Sequence, residues 1–195
     1  MVEADRPKIF RGPVHGFISV NRTTALGIID TREFQRLRRN HQLGITPLTY
    51  HGAEHNRFSH SLGVHHLFDQ VAGRLAWVGL LDDRVKLVGG LAALLHDVGH
   101  GPFSHALEKV LTGRDHLSWT VEMITSEESG INRALRKIDS QLPGEVASVL
   151  RAGILHIGKC ISTRRLEALK GSQKRFGAEQ RGCVKMGSLQ GVRPP

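Results

Sequence analysis

Between Val85 and His105 an apolar helical pattern runs straight into the decapeptide HDVGHGPFSH (96–105), and that junction limits the fold more than any other stretch. Leu87, Leu91, Leu94 and Val98 recur at helical spacing as one bulky stripe, and Gly89, Ala93, His96 and His100 as a second. The helix therefore has two patterned faces. The small residues beside the histidines let a neighbouring helix come close. The pattern predicts a helix over roughly 84–100, stopped by Gly99, Gly101 and Pro102, with Ser104 capping the next one, HALEKVL. Asp97 then sits about 100° round from His96, so both reach a space between helices.

The facing helix is expected from about Ser59, with Val64, Leu67, Val71 and Leu75 as its inward stripe and His60 one turn before Val64. A carboxylate at the buried end of a Leu/Ala helix is costly unless a cation or a proton offsets it. His60, His96 and Asp97 are therefore read as ligands of one divalent ion. Two neutral imidazoles and a carboxylate suit Fe, Mn, Zn or Mg. His105 and Glu108, three apart on one helix face, read as an acid–base pair whose carboxylate fixes the imidazole tautomer. His100 and His116 suit catalysis or phosphate contact equally. Arg57 reads either as a phosphate brace or as a helix-start salt bridge.

The remaining segments frame these residues. KIFRGPVHGFISV (8–20) carries turn signals between short β-branched and aromatic stretches, which predicts a hairpin. In DTREFQRLR (30–38), Asp30 followed by Glu33 reads as an N-cap with its capping-box partner, and Gln35 and Arg38 as solvated helix positions. Residues 41–58 read as a loop. Only 5% of the chain is aromatic, so the core should be aliphatic. Residues 156–195 hold nine Lys/Arg and two Asp/Glu, so most of the net +9 belongs to that Gly-rich stretch. The expected division is a domain over 1–155 and a basic tail over 156–195 without imposed structure. Cys160 and Cys183 are too far apart in sequence for a metal-type pair, nothing resembles a signal peptide, and no apolar run is long enough for a membrane span. The expectation is a soluble cytoplasmic protein with no membrane partner.

DTREFQRLR (30–38), QLG (42–44), HNRFSHSLGV (55–64), HDVGHGPFSH (96–105) and His116 occur in that order, and together they resemble the HD-domain deoxynucleoside triphosphate triphosphohydrolases over about residues 7–155. The resemblance implies an all-α HD-domain bundle with a minor β-hairpin, and cleavage of a dNTP to deoxynucleoside and triphosphate. It implies metal ligation by His60, His96 and Asp97, and catalysis by His105 supported by Glu108. His100 and His116 match further active-site histidines, Arg57 a phosphate-binding arginine, and Gln42 and Leu43 positions near the substrate sugar and base. Asp30, Gln35 and Arg38 match the guanine-reading set of an allosteric nucleotide site, and regulated relatives are homo-oligomers. The family's fourth metal ligand, an Asp in a later helix, has no counterpart here. Asp139 lies in a different context, and the composition shift beyond Leu150 points to an altered C-terminus. His51 stands where relatives usually carry Pro. Two rival readings keep part of this picture: an HD-type hydrolase of another nucleotide or phosphodiester, and a non-catalytic nucleotide-binding module whose basic tail touches nucleic acid.

Overall fold

The computed structural model describes residues 7–103 and 113–152. Ser104, His105, Glu108, the boundary expected near 155 and the tail over 156–195 lie outside the described residues. Strands β1 (Lys8–Gly12) and β2 (Gly16–Val20) pair antiparallel, with Lys8 opposite Val20 and Gly12 opposite Gly16. Gly16 takes a φ of +66°, the left-handed region that closes this turn at little cost only for glycine. Ile18 and Val20 point into the core, as the hairpin pattern requires.

Seven α-helical segments follow among the described residues: α1 (Gly27–Ile29), α2 (Arg32–Gln35), α3 (Arg57–Trp77), α4 (Asp83–Leu95), α5 (His116–Thr125), α6 (Gly130–Ile138) and α7 (Leu142–Ala152). The fold is mostly helical with one small hairpin, as expected. The core is aliphatic, built on residues such as Ile28, Ile29, Leu37, Leu91, Leu94, Leu95, Ile124 and Leu135. Phe34 and Phe58 are its aromatic exceptions, meeting edge to face at 5.4 Å between centroids.

Three local expectations need correction. Asp30 is not the cap of the following helix. Thr31 is, accepting from Phe34 N, while Asp30 is exposed and lies 3.8 Å from Lys8 Nζ. Glu33 is not a capping-box partner either: its carboxylate accepts from Gly130 N at 2.7 Å and Ser129 Oγ at 3.3 Å, closing the N-terminus of α6 instead. The inward face of α3 is also rotated from the expected one. Leu67 and Val71 are about half exposed, and the buried positions are Arg57, Phe58, Ser61, Leu62, Gly63, His65 and Ala72. Ser61 and His65 are polar, so an apolar stripe could not report the face that meets α4.

The close packing of α3 on α4 follows the small-residue pattern. Gly89 lies beneath the Phe68 ring, where a Cβ would come within 2.4 Å of Cζ. His65 spans the same contact, its Nδ1 donating to the Gly90 carbonyl at 2.9 Å. Helix α3 starts at Arg57, two residues before the expected start, because Asn56 caps it by accepting from Ser59 N at 2.9 Å. Helix α4 stops at Leu95 rather than about 100, and residues 96–100 turn back through Val98 N→Leu95 O and His100 N→Asp97 O bonds. That turn carries His96, Asp97 and His100.

Candidate metal centre

His60 near the start of α3 meets His96 and Asp97 at the end of α4. One ligand atom from each lies within 4.8 Å of the others. Two atoms define the pair: His60 Nε2 and His96 Nε2, 3.3 Å apart. His96 Nδ1 lies 2.8 Å from the Ala93 carbonyl oxygen, which can only accept, so the ring's proton is on Nδ1. Nε2 is then the ring nitrogen that faces His60. This is the tautomer a metal ligand needs, fixed by a second hydrogen bond on the far side of the ring.

Asp97 is almost fully buried and surrounded by cations and imidazoles. Oδ2 receives Arg57 Nη1 at 2.6 Å and lies 3.8 Å from His60 Nε2; Oδ1 lies 3.3 Å from His96 Nε2 and 3.5 Å from His100 Nε2. Burial is the largest influence on its carboxyl and opposes the charge. His96, Arg57 and His100 together outweigh it and hold the group ionised below its usual range. His60, half-buried, is moved the other way. Burial, first, and the neighbouring His96, Arg57 and His55 push its imidazole down against the pull of Asp97, which favours the neutral ligand form. The donor set fits a divalent ion: two imidazole nitrogens and one ionised, buried carboxylate.

The turn is gripped from two sides. Gly99 packs against α5, where a Cβ would lie 2.1 Å from the His116 carbonyl oxygen and 2.4 Å from Thr120 N. Gly99 N donates to Thr120 Oγ1 at 2.9 Å. Only glycine permits this approach. It brings the His100 and His116 rings into a stack, with centroids 3.8 Å apart and planes 10° from parallel. On the other side, Arg36 donates to the carbonyls of Val98 and His100, the latter at 2.7 Å, and Asn40 Nδ2 donates to the same His100 oxygen at 2.9 Å. The sequence reading missed Arg36, Asn40 and Thr120. None carries a signal of its own, because each acts by bonding backbone some 20 to 65 residues away.

The other expected residues fall as follows. Arg57 is 3% exposed and bonds Asp97, so the salt-bridge reading holds in part, although the partner is a cluster carboxylate rather than a helix start. Gln42 Nε2 lies 3.5 Å from Asp97 Oδ2, at the edge of hydrogen-bonding distance. Leu43 is about half exposed on the adjoining loop. Gln35 and Arg38 do come together, Arg38 Nε donating to Gln35 Oε1 at 2.8 Å beside a cavity of ≈ 730 Å³ also lined by Arg32, Arg36, Arg39 and Met123. Asp30 is not among the residues lining it. Asp139 bonds Arg84 at 2.8 Å and is not part of the His60–His96–Asp97 cluster. Among the described residues, no helix is long and apolar enough to cross a membrane.

A helical domain in which a His-Asp turn meets a histidine of the preceding helix is the arrangement that names the HD fold. Residues 57–136 match the HD domain. It is 46% identical over 148 residues to the Bacillus subtilis protein YwfO, covering 73% of this chain and 33% of that one. It is also similar to the deoxynucleoside triphosphate triphosphohydrolase SAMHD1 of Gallus gallus, at 41% identity over 129 residues, or 64% of this chain and 21% of the enzyme. A crystal structure of a phosphohydrolase from Bacteroides thetaiotaomicron superposes with a TM-score of 0.65 at 32% identity, over 75% of this chain and 35% of that one. The chain thus spans between a fifth and about a third of the length of these relatives.

Proposed function

We propose that this chain is a metal-dependent phosphohydrolase that takes a dNTP to deoxynucleoside and triphosphate. The observation that carries the reading is the meeting of His60 Nε2, His96 Nε2 and the Asp97 carboxylate, with the His96 tautomer already set for ligation. The similarity to a deoxynucleoside triphosphate triphosphohydrolase supports the substrate class. Fe, Mn, Zn or Mg held by His60, His96 and Asp97 would supply Lewis-acid polarisation of the phosphoryl group.

The chain's own side chains supply the rest. Arg57 brings a permanent positive charge against the cluster, and His100, stacked on His116, adds imidazole donors for phosphate oxygens. His105, with Glu108 holding its tautomer, is assigned proton transfer to the departing oxygen or attack at phosphorus. Gln42 and Leu43 are assigned the sugar and base, and Asp30, Gln35 and Arg38 a nucleotide effector that assembles a homo-oligomer. Among the described residues three side chains offer ligand atoms to the ion, and three protein ligands hold an ion less firmly than four, so turnover is expected to be impaired relative to four-ligand enzymes.

The test is incubation of the whole 195-residue chain with dGTP and Mn²⁺, followed by anion-exchange separation of products. Deoxyguanosine with intact triphosphate is the expected result, lost in His105→Ala while bound metal is retained. Orthophosphate or pyrophosphate as product would overturn the triphosphohydrolase assignment. A wild-type chain that binds no metal would overturn the reading as a whole.

A further inference from the structure

Arg36 is a partly buried cation that forms no ion pair among the described residues. Its guanidinium reaches two backbone oxygens that bracket Gly99, those of Val98 and His100, with Nη2 also 3.9 Å from Met123 Sδ. Burial lowers its pKa, and Glu33 partly offsets this. Such a group could have been replaced by an apolar side chain of similar volume if filling space were its only task. A guanidinium instead offers a planar fork of donors, which can hold two carbonyls at once in a fixed relation.

Those two carbonyls belong to the peptides on either side of the site's pivot. Asp97 directly precedes Val98, and the His100 carbonyl comes from the residue whose ring faces Asp97 Oδ1. Rotating either peptide about the chain would swing Asp97 or His100. Gly99, having no side chain, offers little resistance of its own to such a rotation. Contact with α5 limits the turn from one side through Thr120 Oγ1, and Asn40 shares the His100 oxygen on the other. The Val98 carbonyl has Arg36 as its side-chain donor among the described residues.

We propose that Arg36 is a positioning residue for the HD turn: by bridging the Val98 and His100 carbonyls, its guanidinium sets the orientations of Asp97 and His100 on which metal affinity depends. The inference rests on the metal reading above but is separable from it. Lysine, a point charge on a flexible stem, can satisfy one carbonyl at a time, so Arg36→Lys keeps the charge and breaks the bridge.

The experiment measures three quantities on the full chain for wild type, Arg36→Lys, Arg36→Met and the control Arg39→Met. These are the Mn²⁺ dissociation constant by calorimetry, the histidine ring ¹⁵N shifts of the metal-free protein, and the Tm. The expected result is a loss of Mn²⁺ affinity of about 10-fold or more in both Arg36 variants. The His96 and His100 ring signals should also move, with Arg39→Met matching wild type. Unchanged ring shifts and unchanged affinity with a lowered Tm would reduce Arg36 to a structural bolt and overturn the proposal. If wild type takes up no Mn²⁺, the metal reading fails, and the ring shifts alone decide Arg36. If neither Arg36 variant folds, Asn40→Ser, which removes the other donor to the His100 oxygen, is judged by the same shifts and affinity.

Discussion

Replacing Gly99 by alanine tests the geometry of the site at its tightest point. The added methyl would lie 2.1 Å from the His116 carbonyl oxygen and 2.4 Å from Thr120 N, both backbone atoms of α5. No rotamer change can relieve a clash with backbone, so α5 would have to retreat by more than about 1 Å to reach ordinary contact. Overpacking a filled interior typically costs about 1–3 kcal/mol, and a backbone clash belongs at the upper end. For a domain of this size about 3 kcal/mol corresponds to a Tm loss of roughly 6–12 °C. The same retreat would break the Gly99 N to Thr120 Oγ1 bond and unstack His100 from His116, so Mn²⁺ affinity should fall with stability. Gly101→Ala is the matched control, because a Cβ there meets nothing within 4 Å. Urea unfolding and calorimetric Mn²⁺ titration of both variants provide the assay. A Gly99→Ala protein within about 0.5 kcal/mol of wild type, with unchanged Mn²⁺ affinity, would refute the close approach of the turn to α5.

Asp97→Ala should destabilise the metal-free protein by about 3–5 kcal/mol in urea unfolding, because it strands the buried Arg57 guanidinium, and Arg57→Met/Asp97→Ala should recover part of that loss. His60 titrates below its ordinary 6.5 in the fold, so the unfolded chain takes up its proton first. Metal-free stability should therefore be full above that value and fall as pH drops below it, with a shallower decline of Tm against pH in His60→Gln. Glu33→Gln weakens the acceptor that closes the N-terminus of α6, and a loss of about 0.5–2 kcal/mol in unfolding free energy is expected, read from the denaturation midpoint. Inorganic phosphate should raise the affinity for Mn²⁺ several-fold over chloride at matched ionic strength; equal affinities in the two salts would count against joint binding.

The residues of the His60–His96–Asp97 cluster stood out in the sequence because their chemistry is rare in that context. His96 and Asp97 follow the end of an apolar helix, and His60 lies in the first turn of a second one, at a spacing that brings it to the same place. What was illegible depended on partners far along the chain. The α6 N-terminus is capped by Ser129, but a further acceptor there comes from Glu33, nearly 100 residues upstream, and no local pattern distinguishes that role from a capping box. The rotated face of α3 arises because Ser61 and His65 are buried by contact with α4, while Leu67 and Val71 on the expected stripe remain half exposed. Gly99 was readable as a helix stop, but its tighter constraint is the backbone of α5 pressing on it.

The charge arrangement explains why phosphate and metal should help each other bind. Arg57 and Asp97 form a buried pair of zero net charge, and His60 favours its neutral form. The cluster can therefore offer an incoming divalent ion good donor atoms but little net negative charge. In a half-buried site that shortfall is costly, and water alone relieves it poorly. A phosphate group relieves it directly, because it can face the ion and the Arg57 guanidinium together. Binding free energies are reciprocal, so whatever affinity phosphate adds for the ion, the ion adds for phosphate. A fourth protein carboxylate would remove part of that dependence by supplying the missing charge itself. With the three ligands found among the described residues the dependence stays large, which ties the metal–phosphate linkage directly to the ligand count of the cluster.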